Sequence, residues 1–172
     1  MAAAGAAALG WSQIAAWLFG CGLISWFATE SVVLARAATR EPLPPALRPA
    51  LGVQLAPPVV GGVAYLNLTS GAPDMGAHIL FGYGLFQAAV LLRLWPWIRL
   101  PKFSPGYWAF SFGATALPTV AIRMVERGDS GPTAWIAPLL FAAANLVIGY
   151  LAVSSLYSWF EPGSAQPSAR PS

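Results

Sequence analysis

Trp135-Ile-Ala-Pro-Leu-Leu-Phe-Ala-Ala-Ala-Asn-Leu-Val-Ile-Gly-Tyr-Leu-Ala-Val-Ser-Ser-Leu-Tyr157 contains no charged residue. At about 1.5 Å per helical residue, such a stretch crosses a bilayer core of about 30 Å. Residues 10–35, 51–68, 76–92 and 107–122 have the same character, with charge nearly absent from their middles. These five stretches fill most of the 172 residues. Charged residues make up 9% of the chain, hydrophobic residues 57%, and the mean hydropathy is +0.62. A soluble domain of this size needs a polar exterior. The composition predicts an all-α integral membrane protein with five transmembrane helices, and it argues against a globular cytosolic enzyme.

Residues 10–160 make one transmembrane domain, because no stretch between the spans is long enough for a soluble domain. Residues 1–9 precede it as an N-terminal remnant. They carry no basic n-region, and the apolar run that follows is too long for a signal-peptide core, so the first span is expected to be retained. Residues 161–172 are rich in Pro and Ser and are expected to form a disordered tail.

The pI near 9.4 does not mark a nucleic-acid binder, because the bases flank apolar spans instead of forming a basic patch. Arg36, Arg40 and Arg48 follow the first span, and Arg93, Arg99 and Lys102 follow the third. The loop after the second span has Asp74 and no base. The positive-inside rule puts the first and third loops in the cytoplasm of a multi-pass protein of the inner (plasma) membrane, with the N-terminus outside and the C-terminus inside. Arg123 and Arg127 in the fourth loop are a mild exception, offset by Glu126 and Asp129. Trp95, Trp97, Tyr107 and Trp108 lie beside bases and read as interfacial aromatics.

Candidates for chemistry are few. Cys21 and His78 are the single residues of their types, which leaves no metal site or disulfide to build. No catalytic or phosphate-binding motif is present, Gly82-Tyr-Gly84 being close-packing glycines on a helix, so neither a cofactor nor catalysis is expected. Glu30 and Arg123 are the ionisable groups within spans, each close enough to an end to snorkel or pair. Gln54, Asn67, Gln87 and Asn145 suit interhelical hydrogen bonds. The second span carries Pro57, Pro58, Gly61 and Gly62, and the fourth carries Gly113 and Pro118, while the spans between them read as unbroken. Proline frees a backbone carbonyl that a neighbour or water must satisfy, so Pro57, Pro58, Gly113 and Pro118 are candidates for a kinked, pore-lining pair of spans. A pore for small anions needs no fixed cation: helix ends and backbone amides attract the ion, and an apolar constriction controls passage. Phe110 and Phe112 are the constriction candidates. They point about 200° apart round the helix, and periodicity does not choose between them.

Four ordered motifs carry a resemblance. They are Pro44-Pro-Ala-Leu-Arg-Pro-Ala-Leu-Gly-Val-Gln-Leu-Ala-Pro-Pro58, Leu80-Phe-Gly-Tyr-Gly-Leu-Phe-Gln87, Leu91-Leu-Arg-Leu-Trp-Pro-Trp97 and Tyr107-Trp-Ala-Phe-Ser-Phe-Gly-Ala-Thr-Ala-Leu117. The chain resembles the tellurite-resistance/dicarboxylate transporter family, which includes the bacterial TehA proteins and the plant guard-cell slow anion channels. The resemblance implies ten helices in five hairpins, with inner helices around a pore and trimers with one pore per subunit. This chain is similar to helices six to ten, with the second and fourth spans as inner helices. The family's pore-occluding phenylalanine falls on Phe112, which makes it the implied gate and turns Phe110 away from the axis.

The family's first half has no counterpart here, and two inner helices do not close a pore. The expected partners are therefore the lipid bilayer, a small anion, and either further copies of the chain or a complementing N-terminal half. Three functions compete: anion transport, a membrane enzyme acting on lipid or quinone, and a non-transporting scaffold or degenerate fragment. The enzyme would need a polar catalytic cluster, and the sequence shows none.

Overall fold

The computed structural model describes residues 2–100 and 102–160. The tail expected at 161–172 lies outside the described residues. A short helix α1 (Ala2–Ala8) is followed by α2 (Ser12–Thr39), a 3₁₀ segment (Pro45–Leu55), α3 (Ala56–Leu68), α4 (Met75–Ile98), a 3₁₀ turn (Pro105–Trp108), α5 (Ala109–Glu126) and α6 (Pro132–Phe160). No strand occurs among the described residues. Five helical spans are long and apolar enough to cross a membrane. The chain is thus an all-α, multi-pass membrane protein.

Local chemistry sets the ends. Asp74 caps α4, its carboxylate accepting from the Ala77 N–H at 3.1 Å. Gly128 takes φ +96° between α5 and α6, a conformation that a side chain disfavours. Ser104 precedes Pro105 without a side-chain capping bond, and its backbone carbonyl accepts the Tyr107 N–H at 3.0 Å.

Proline content does not separate the second and fourth spans from the others, as the sequence reading had it. α4 runs on to Ile98 and so includes Pro96, and α6 starts at Pro132 and includes Pro138. The distinguishing feature is the 3₁₀ stretch with which the second and fourth spans begin. Pro57 and Pro58 stand where the first such stretch passes into α3, in the first turn, where a missing N–H costs little. The Val53 carbonyl, which Pro57 cannot serve, accepts instead from the Ala56 N–H.

α3 and α5 pack together at the centre, and α2, α4 and α6 lie around them. Glycine permits the central approach. A Cβ on Gly113 would lie 2.5 Å from the Leu55 side chain, and one on Gly84 of α4 would lie 2.5 Å from Val59 of α3. Pro58, Val59, Leu66, Val120 and Met124 are fully buried in this core. The outer helices are spread apart: among the described residues no Cα of α2 lies within 8 Å of α4, nor any of α4 within 8 Å of α6. Most of their apolar side chains, Trp17, Leu92 and Leu146 among them, are exposed, as a hydrocarbon solvent allows.

Consecutive spans run antiparallel, so the loops divide between two ends. Arg48 lies over the Trp97 ring at 4.2 Å, which ties the first and third loops together. Trp95 and Tyr107, read from the sequence as interfacial aromatics, pack against other parts of the protein. Tyr107 is buried and donates to the Ile98 carbonyl at 3.1 Å, and Trp95 packs edge-on against Tyr107, Phe110 and Tyr150. Trp108 does remain exposed, donating to Ser155 Oγ at 2.9 Å.

Candidate functional site

α5 has two faces of different chemistry. One bears Gly113, Leu117, Pro118, Val120, Ala121 and Met124 and is buried against α3 and the long 3₁₀ segment. Phe110 belongs to this face. Its ring fills the space over Gly52, where a Cβ would lie 2.4 Å away, and meets Trp95 at 5.8 Å and 90°. Phe112 points the other way and is 57% exposed.

The face that carries Phe112 is a stripe of hydroxyls. Ser111, Thr115 and Thr119 recur at intervals of four, one above the other on a helix. Each bonds back to its own helix: Ser111 to the Trp108 carbonyl at 2.7 Å, Thr115 to the Ser111 carbonyl at 2.9 Å, and Thr119 to the Thr115 carbonyl at 2.8 Å. Internal bonding of this kind satisfies the hydroxyl protons and leaves a mildly polar wall without fixed charge. Arg123 ends the stripe, donating to Asn67 Oδ1 at the end of α3. Arg127 donates to the Leu66 carbonyl and, at 2.9 Å, to that of Thr69. The two bases of the fourth loop are therefore held by the C-terminal turn of α3, where a cation also suits the helix dipole.

Beside Arg127, polar groups join the second and fourth loops. Asp74 accepts from the Tyr65 hydroxyl at 2.6 Å, and that bond, with the Ala77 N–H, holds its carboxyl below the usual carboxylate range. Burial pushes Asp129 up, but the Thr133 hydroxyl, the Gly131 N–H and His78 outweigh it and hold the carboxyl below its ordinary value. The His78 ring bridges the loops, with Nδ1 2.8 Å from the Asp74 carbonyl and Nε2 3.2 Å from Asp129 Oδ2. No group of three or more His, Cys, Asp or Glu side chains able to hold a metal occurs among the described residues.

The second of the two span charges expected from the sequence, Glu30, lies between α2 and α4. Glu30 is 7% exposed and neither snorkels nor meets a base. It pairs with neutral donors: Trp26 Nε1 at 3.2 Å, the Tyr83 hydroxyl at 3.0 Å and Gln87 Nε2 at 2.7 Å.

A family profile described as a voltage-dependent anion channel matches residues 1–156. The chain belongs to this anion-channel family. The tellurite resistance protein TehA homolog of Haemophilus influenzae is 34% identical over 151 residues, covering 88% of this chain and 45% of that protein. The guard cell S-type anion channel SLAC1 of Arabidopsis thaliana is 25% identical over 155 residues, 90% of this chain and 28% of that protein. An uncharacterized transporter of Methanocaldococcus jannaschii is 28% identical over 106 residues. The chain thus spans less than half the length of these curated relatives.

Within this member of the family, the sequence-derived site residues do not form one cluster. Gly113, Pro118 and Pro58 lie in the packed α3–α5 contact. Pro57 borders a separate cavity of about 280 Å³ between α1, α2 and α3. Phe112 stands alone on the exposed face. Sequence reading missed the hydroxyls beside it, although the spacing Ser111, Thr115, Thr119 was legible. It weighed proline and aromatic residues and did not project the span's polar residues onto one helical face.

Proposed function

We propose that this chain supplies part of the wall of a pathway for small anions across the plasma membrane, with Phe112 as its constriction. The observation that carries the reading is the exposed α5 face: one large aromatic ring among uncharged hydroxyls, with Arg123 at its end. Such a wall favours passage over tight binding, and an apolar ring there controls it by size and wetting. Two inner helices leave the pathway open on one side. Further inner helices come from a complementing polypeptide or from other copies of this chain; the trimer that the family resemblance implies keeps one pore in each subunit and does not itself supply them. Names of relatives, tellurite resistance and anion channel, fit a small anion as the substrate.

The test is anion flux in liposomes. The 172-residue chain alone is expected to give no saturable, anion-selective flux, and co-reconstitution with a polypeptide carrying the remaining inner helices is expected to give it. Robust flux from the chain alone would replace the complementing partner by a homo-oligomeric pore. Absence of flux in both preparations would contradict the transport reading.

The orientation is proposed from the bases: the end carrying Arg40 and Lys102 is cytoplasmic. After removal of Cys21, cysteines placed at Arg40 and Lys102 are expected to be shielded from an impermeant reagent outside intact cells, and one at Ala72 to be labelled. The opposite pattern inverts the topology.

A further inference from the structure

The gap between α4 and α6 is a cavity of about 360 Å³ with an almost wholly apolar lining. α5 forms its floor through Phe110 and Ala114, α6 one wall through Leu146, and α4 the other through Ala88, Leu92 and Trp95. The α4 residues recur at i, i+4 and i+7, which is one helical face. The next position on that face is Arg99, four residues beyond Trp95 and the C-cap of α4. Arg99 is exposed, and so is Lys102 three residues on. Neither side chain makes a hydrogen bond or ion pair among the described residues. Arg48 at the same end is occupied, donating to the Leu43 carbonyl at 3.2 Å and lying over Trp97. The cavity therefore runs toward two unpaired bases at one end of the spans.

The lining is almost wholly apolar and the cleft opens toward the hydrocarbon, so an apolar chain suits it. The bilayer presents extended acyl chains along the whole face, and two bases beyond the end of the cleft suit an anionic headgroup. We propose that the cleft binds one acyl chain of an anionic phospholipid, with its phosphate on Arg99 and Lys102. A base near the membrane surface adds about fivefold to the affinity for an anionic lipid, so two add about 25-fold.

The experiment uses the 172-residue chain in phosphatidylcholine vesicles that contain a trace of phosphatidylglycerol with a photoreactive acyl chain. The expected result is labelling of the segments around residues 88–95 and 146–151, about 25-fold stronger than with the matching phosphatidylcholine probe. Arg99→Gln with Lys102→Gln, both at exposed positions, should bring the phosphatidylglycerol signal down to the phosphatidylcholine level. Ala114→Phe should abolish labelling from both probes by filling the floor. Equal labelling by the two probes, or an undiminished signal in the double variant, overturns the proposal. So does crosslinking of a second copy to this face with exclusion of the lipid. If Ala114→Phe does not fold, the charge variant decides alone.

Discussion

Phe112→Ala is expected to raise anion flux on the order of tenfold in a protein whose pore is complete. That gain corresponds to a barrier lowered by about 1.4 kcal/mol. The ring is more than half exposed on α5, so its loss costs little packing, and on the proposed reading it opens the constriction. Selectivity for anions should persist, since helix ends and Arg123 remain. Phe110→Ala is the matched control. Its ring fills the space over Gly52 and packs edge-on against Trp95. Truncation there should leave flux nearly unchanged and cost about 3–5 kcal/mol of stability, the usual loss for a packed aromatic. Flux and unfolding of the two variants at matched expression separate a gate from a core aromatic. A larger flux gain for Phe110→Ala would remove Phe112 from its assigned role.

Glu30→Ala is expected to destabilise the chain by about 1–3 kcal/mol in detergent or bilayer unfolding assays. The carboxyl accepts from Trp26, Tyr83 and Gln87, and Gln87 is itself buried. Removing the shared acceptor strands a buried donor, which costs more than the bond alone was worth. The effect should be local as well. Among the described residues no Cα of α2 lies within 8 Å of α4, so these side chains tie the two helices together. Crosslinking between cysteines on the two helices should fall in Glu30→Ala. Tyr83→Phe should cost less than half as much, since Gln87 still serves the carboxyl. A Glu30→Ala variant as stable as the parent, with α2–α4 crosslinking intact, would show that the cluster holds nothing.

The five spans were legible because lipid imposes a simple rule: long apolar stretches without charge become helices. Their ends were less so. Residues 45–50 fell outside the second span as read, since Pro42, Pro44 and Pro45 break an α-helix, yet a 3₁₀ segment begins at Pro45 and sets Arg48 over the Trp97 ring. Pro96 fell outside the third span as read, because Arg93 seemed to close it, whereas α4 continues through Arg93 to Ile98, with Arg99 as its C-cap. Glu30 was recognised as a charge inside a span, but not its partners, which lie 53 and 57 residues away. The opposed directions of Phe110 and Phe112 followed from helical periodicity. Which of them packs depended on Gly52 and Trp95, contacts that no local pattern contains.

The most direct measurement of the central claim, that the Phe112 face of α5 lines the anion path, is cysteine accessibility in a completed, conducting protein lacking Cys21. Thr115→Cys and Thr119→Cys should react with a small anionic thiol reagent, the reaction should block flux, and excess permeant anion should slow it. Leu117→Cys, on the buried face, should not react. Reaction at Leu117→Cys with protection by the anion, and none at Thr115→Cys or Thr119→Cys, would contradict the account.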